Sequence, residues 1–406
     1  MPFRRGRGPG FIVSRTSSRR APIRRAGPDV GRRSYREGMI DRRRIARYRT
    51  HVQQLDRERG DLGDTSVLDL GAQETGPDGA LWALAIRGVE AAKAGADPAV
   101  ERELVWLWTL RGAPHCYRRS DLPQVAAAVA PWSDADAAKR IFDAAKPLKA
   151  AGIPILEALD AVAARMRAIV TEPMAKGEVS GRLHEVMPEP YQRFCRPCDT
   201  VHLYEQPFRL AAVRAGLELE PRTSPPVLRP VPGLSPAETF EDRLDPVRAY
   251  LHLCGPATVK EVAEYLDTPV KELKAHWPGD AIEVATEAGA RWILAGDEAA
   301  LRGADAAGTR LLGPYDLFLQ ARDRAVLVED PERRKRLWPV LGRPGAVLVD
   351  GDIAALWRPR KSGKRFTVAV EPWRPLAAAE RKAVEAEAER LAAFRGVALT
   401  GLDFAG

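Results

Sequence analysis

The chain has 406 residues, of which 45% are hydrophobic and 29% charged, enough for about two or three domains with ordinary cores. A net charge of +8 favours a polyanionic partner, nucleic acid first. No apolar run approaches the ~18 residues of a spanning helix, and Cys116, Cys195, Cys198 and Cys254 are too few for a disulfide scaffold. The expectation is a soluble cytoplasmic monomer with no membrane association.

Residues 1–38 mix Arg, Gly, Pro and Ser with almost no acids, a composition that buries too little surface to fold. They read as a disordered basic arm or as an over-extended start ahead of Met39. An Arg cluster without an apolar stretch after it is no secretory signal. Helical runs follow from Ile40 to Arg87, interrupted by Gln73-Glu74-Thr75 where SVLDLGA ends. Pro77-Asp78-Gly79 then starts a new helix with Asp78 as its cap. A glutamine at such a junction orients a water molecule while staying neutral beside phosphates. It also serves simply to cap a helix or to bond the backbone.

The stretch WLWTLRGAPHCY continues as a short strand-like or helical bridge. In it Arg111 and His115 flank a Gly112-Ala113-Pro114 turn, so the pair suits a phosphate, and the histidine also a base; the alternative is a helix-end cation and a surface histidine. Ala135 to Val170 is helical on both sides of a Gly152-Ile153-Pro154 turn, and Lys176 to Glu205 reads as helix, turn and strand. Cys195-Arg196-Pro197-Cys198 with His202 and His184 is a single CxxC. Structural zinc usually needs two paired motifs, so free thiols and a strand histidine are the reading and no metal is assigned.

Glu220 to Pro236 is dense in proline and forms a linker or rigid hairpin. Leu244 to Leu294 is the best-defined unit. Its first helix stops at Gly255-Pro256, and its second opens on the capping-box pair Thr258 and Glu261. Thr268-Pro269 gives an N-cap and first-turn proline to a third helix. AIEVAT and ARWILA then make a hairpin. Three short helices and a hairpin are a winged helix. The same order recurs more weakly upstream, which divides the chain into units at 39–130, 131–219 and 244–300, with 220–243 as linker or hairpin.

From Arg310 short β runs predominate, as in a small antiparallel barrel or sheet, and Leu376 to Phe394 closes the 301–406 region as a helix. Arg358, Arg360, Lys361, Lys364 and Arg365 surround a Ser362-Gly363 turn, placed for phosphates or as a solvated basic turn. No Walker A loop, dinucleotide fingerprint, HExxH or GxSxG occurs, so no cofactor is expected.

Three segments together, GAQET, WTLRGAPHCYRRSDL and LLGPYDLFLQARDRAVLVEDPERRKRLW…GAVLVDGDIAALWR, resemble the bacterial winged-helix DNA-binding proteins that include the AlkZ-type and YcaQ-type crosslink-repair DNA glycosylases. The resemblance implies an α+β fold of tandem winged-helix units in a C-shaped array with a C-terminal β-rich domain. It also implies metal-independent hydrolysis of N-glycosidic bonds at N7-alkylated purines or crosslinks in double-stranded DNA. The family signature is Gln-x-Gln or Gln-x-Asp. Gln73 matches its first position and Thr75 departs from its second, which leaves non-catalytic DNA binding as the competing reading. Gln73 and Thr75 are therefore the candidate catalytic residues. Arg87, Arg111, His115, Arg229, Arg360, Lys361, Lys364 and Arg365 are the candidate nucleic-acid ligands.

Overall fold

The computed structural model describes residues 39–76, 79–89, 98–197, 199–362 and 365–405. The basic arm, Asp78, Cys198 and Lys364 lie outside the described residues. Ile40–Gly406 forms one unit by contact, a mixed α+β fold.

Helix α1 (Arg42–Val52) opens on Asp41, whose carboxylate accepts from the Arg44 amide at 2.7 Å, the local bond that an N-cap needs. Short α2 (Val67–Leu70) leads into β1 (Ala72–Gln73), and α3 (Gly79–Ala85) follows. The bridge at 104–118 is a hairpin of β2 (Leu104–Trp108) and β3 (Pro114–Arg118). Every residue of β2 is buried. Leu104, Trp106 and Trp108 enter the main core while Val105 and Leu107 enter a second cluster with Tyr117 and Leu122, so the period-2 alternation of a strand feeds two apolar faces.

Five further strands are β4 (Met174–Ala175), β5 (Gln192–Cys195), β6 (Thr200–Leu203), β7 (Leu217–Leu219) and β8 (Val227–Pro230). One six-stranded sheet runs β1-β3-β2-β7-β8-β4. The Pro-rich segment thus supplies the turn and second strand of a hairpin whose first strand pairs with β2, Trp106 opposite Leu219.

Helices α4 (Pro246–Cys254), α5 (Val259–Leu266) and α6 (Val270–Ala275) precede the hairpin of β9 (Ala281–Thr286) and β10 (Gly289–Leu294). Both capping-box bonds between Thr258 and Glu261 form. Helix α6 starts one residue later than its sequence suggests: Pro269 takes the cap position with extended ψ of 140°, since Asp267 closes α5 in the left-handed region.

A second sheet is ordered β11 (Thr309–Leu312), β12 (Gly345–Val349), β13 (Asp352–Ser362), β14 (Arg365–Pro372) and β15 (Leu399–Phe404). Its last pair is parallel, not antiparallel as the short β runs imply. The physical cause is α7 (Ala378–Phe394), a crossover long enough to return the chain to the same end of the sheet. Trp82 of α3 donates to Leu311 O at 2.8 Å and packs on Phe394, so the Gln73 region is seated on this second sheet.

Candidate functional site

The position of Gln73 follows from Gly71. Gly71 has φ of +91°, and a Cβ there would lie 2.5 Å from the Tyr117 ring, so only glycine lets the chain turn from α2 into β1. Register then sets Ala72 opposite Cys116 and Gln73 opposite His115. Arg111, in the turn between β2 and β3, adopts φ of +58°, a left-handed conformation uncommon for a residue other than glycine.

Arg111 Nη2 donates to Gln73 Oε1 at 3.2 Å, and Gln73 Nε2 donates to Thr75 Oγ1 at 3.0 Å. A guanidinium only donates, so the Gln73 carbonyl must face Arg111 and its NH₂ must face Thr75. Arg111 is fixed in turn by α5: Nη1 donates to Tyr265 O at 3.2 Å, and the guanidinium lies 4.2 Å from the Tyr265 ring centroid. The structure thus unites three residues singled out from sequence. Gln73 and Thr75 line a small cleft with Trp82, Tyr315, Asp316 and Leu317, whose free space of about 20 Å³ is room for about one water molecule.

Glu74 takes no part in this cleft. Its Oε2 accepts from the Ala80 amide at 2.8 Å and from Trp106 Nε1 at 3.3 Å, so it anchors the first turn of α3 from the core side.

His115 differs from its expected role. It is buried, and burial first, then the charge of Arg111, lowers its pKa to about 3. Its Nδ1 lies 3.0 Å from Ala113 O, which can only accept, and 3.0 Å from Thr109 Oγ1. The imidazole is therefore neutral with its proton on Nδ1, and its Nε2 has no partner among the described residues. A neutral buried ring is no phosphate ligand.

Arg87 is also corrected. It is 0% exposed, and its guanidinium is consumed by Asp316 at 2.7 and 2.9 Å, Gln53 O at 2.9 Å, Gln53 Oε1 at 3.1 Å and Ala83 O at 2.8 Å. It holds the cleft wall at Asp316 and offers nothing to solvent. Arg229 pairs with Glu218 across β7 and β8 at 2.8 Å. Arg360, Lys361 and Arg365 are exposed on the β13–β14 hairpin. His202 donates from Nδ1 to Leu203 O at 2.6 Å, and among the described residues no group of three or more His, Cys, Asp and Glu converges as metal ligands would.

Sequence reasoning missed a set of arginines beside the cleft. Arg322 lies 5.9 Å from the same Tyr265 ring, and its Nε is buried without a partner among the described residues. Burial first, then Arg111, lowers its pKa; burial, then Arg343 and Arg322, does the same to Arg324. Arg343 stacks 5.1 Å from the Tyr315 ring centroid. Among the described residues, no ion pair joins Arg111, Arg322, Arg324 or Arg343 to a carboxylate. Mutual repulsion of this kind is what an incoming polyanion relieves. The signal lay in Gln320-Ala321-Arg322-Asp323-Arg324: Asp323 is turned inward to Arg49 at 2.7 Å, which leaves the two flanking arginines unpaired.

The chain belongs to the AlkZ-like DNA glycosylase family, whose model matches residues 67–394. A solved structure similar to it is the Streptomyces sahachiroi DNA glycosylase AlkZ, with a TM-score of 0.68 and 20% sequence identity over 90% of this chain and 100% of that one. At that identity the likeness is one of fold. No curated protein sequence matches the chain.

Proposed function

We propose that the protein is a DNA glycosylase that excises N7-alkylated purines, or unhooks interstrand crosslinks, by hydrolysing the N-glycosidic bond. The observation that carries this reading is the Gln73 amide, fixed by Arg111 and Thr75 at a water-sized cleft beside unpaired arginines. An N7-alkylguanine already bears positive charge. When its bond to the sugar breaks, the electron pair leaves with the base, which becomes neutral, and the sugar becomes oxocarbenium-like. Water adds to the sugar carbon and loses a proton to solvent, leaving an abasic site. Gln73 orients that water, and its dipole stabilises the sugar cation without needing a carboxylate. Thr75 assists by holding the amide. A water-sized cleft also suits a bulky lesion that stays in an open channel, because a closed pocket would require the base to be flipped.

The same reading treats residues 39–130, 131–219 and 244–300 as winged-helix units arranged as a C around double-stranded DNA, followed by the β-rich 301–406 domain. The order of α4, α5, α6 and the β9–β10 hairpin supports it for the third unit. Arg111, Arg322 and the exposed Arg360, Lys361 and Arg365 are the phosphate ligands, and the protein acts as a monomer in the cytoplasm, at the nucleoid. One observation favours a second reading, non-catalytic DNA binding. Thr75 stands where the family signature carries an amide or carboxylate, and a hydroxyl cannot act as a carboxylate base at neutral pH.

The test is purified protein with duplex containing N7-methylguanine or a nitrogen-mustard crosslink, followed by alkaline cleavage at abasic sites. Base release that Gln73→Ala abolishes supports the glycosylase. Intact DNA on every such substrate, together with tight duplex binding, leaves the second reading.

A further inference from the structure

One loop near the cleft is built unlike the rest of the surface. Val340 is 93% exposed and Leu341 86%, whereas the next most exposed large hydrophobic among the described residues, Phe194, is 58%. Two adjacent aliphatic side chains left in water are unfavourable to the free protein, yet the segment that carries them is pinned at both ends. At its start Trp338 is buried and donates from Nε1 to Leu319 O at 3.0 Å, on the same turn (Leu317–Gln320) that supplies the cleft wall. At its end Gly345 sits where a Cβ would lie 2.2 Å from the Trp357 ring. Between these points Arg358 of β13 donates to Gly342 O at 2.7 Å, and Arg343 stacks on Tyr315, a residue of the Gln73 cleft. The tip is therefore held out between the cleft and the basic hairpin.

Its surroundings are cationic. Arg343 and Arg358 flank the tip, and Arg324 feels the charge of Arg343. A second copy of this chain would bring like charge against like charge. A duplex presents the opposite arrangement, anionic backbones flanking an apolar stack.

We propose that Val340 and Leu341 form a wedge that enters the base stack of duplex DNA beside the Gln73 cleft, with Arg343 and Arg358 on the phosphates either side. The inference rests on the DNA reading of that cleft. Apolar side chains inserted at a base step unstack it and bend the duplex, at a cost recovered by the larger wrapped surface. Here the wedge opens the stack next to the lesion and so exposes the sugar carbon to the water held by Gln73. It positions the substrate and takes no part in bond breaking.

The experiment uses the full chain and a duplex in which 2-aminopurine adjoins a tetrahydrofuran abasic analogue. The fluorescence of 2-aminopurine rises when it unstacks. Wild type is expected to raise it several-fold on binding. The variant Val340→Ser/Leu341→Ser, altered only at water-exposed positions, is expected to lose most of that rise while its Kd for undamaged duplex stays within about twofold. Its single-turnover base release from N7-methylguanine duplex is expected to fall about tenfold, the loss when an aliphatic side chain stays in water instead of entering the stack. An unchanged fluorescence rise in the variant, no rise with wild type, or a wild-type dimer in sedimentation that the variant dissolves overturns the wedge. Base release by wild type in those cases leaves the glycosylase reading standing. Failure of wild type to bind any duplex removes both.

Discussion

Arg87 separates a structural cation from a DNA ligand, and the two roles predict opposite results. Arg87→Ala removes the guanidinium that pairs with Asp316 through two bonds of 2.7 and 2.9 Å and strands a carboxylate only 4% exposed. Removing one partner of a buried pair costs about 3–5 kcal/mol. The unit Ile40–Gly406 has roughly 370 residues, and at about 2.1 cal/mol/K per residue its unfolding entropy is about 0.8 kcal/mol/K, so the midpoint should fall by about 4–6 °C. Asp316 Oδ1 also accepts from the Phe318 amide at 3.0 Å, a bond that asparagine keeps. The double variant Arg87→Met/Asp316→Asn should therefore recover at least half of the loss. Differential scanning calorimetry gives the midpoints, and the dependence of duplex affinity on salt should not change. A midpoint within about 1 °C of wild type, with a log-log salt slope shallower by about one unit, would refute the structural role and restore Arg87 as a phosphate ligand.

Thr75→Val removes the acceptor for Gln73 Nε2 while keeping the side-chain shape, and should slow base release about five- to tenfold, the worth of roughly one hydrogen bond, in a single-turnover assay. Arg322→Ala, which breaks no ion pair to a carboxylate among the described residues, should leave the melting midpoint nearly unchanged and make the salt slope of duplex binding shallower by about one unit. For His115 the folded pKa of about 3 lies below the unfolded value of about 6.5, so the unfolded chain binds more protons between them. Its contribution is fully present above pH 6.5 and lost as pH falls toward 3, by up to about 1.4 kcal/mol per pH unit. Denaturation of wild type and His115→Gln across pH 4–7 should show a flatter profile for the variant, and parallel profiles would contradict the burial argument.

The parts of the fold that were legible are those fixed by local bonds. The capping box at Thr258 and Glu261 and the β9–β10 hairpin depend on residues within one turn of each other, and both form as spelled. The six-stranded sheet was not legible, because β2 finds β7 more than a hundred positions away and an apolar strand does not name its partner. Arg87 fails for the same reason. An arginine at the end of an apolar helix reads as basic surface until Asp316, 229 positions on, is placed against it. At the site, Gln73, Thr75 and Arg111 were each singled out by their departure from an apolar pattern and do meet. His115 was misjudged because its role depends on burial, to which its residue type is a poor guide. Arg322 and Arg324 were passed over because only the inward turn of Asp323 reveals them as unpaired.

The cleft at Gln73 has one wall from residues 67–83 and the other from residues 313–317. During synthesis these walls leave the ribosome about 240 residues apart, an interval of some 12–50 s at roughly 5–20 residues per second. Through that time Trp82 lacks Leu311 and Arg87 lacks Asp316. A nascent chain therefore carries a basic amino-terminal half, attractive to nucleic acid, well before its Gln73 cleft has a second wall. The cleft is completed late and all at once, when residues 313–317 close over residues 67–83.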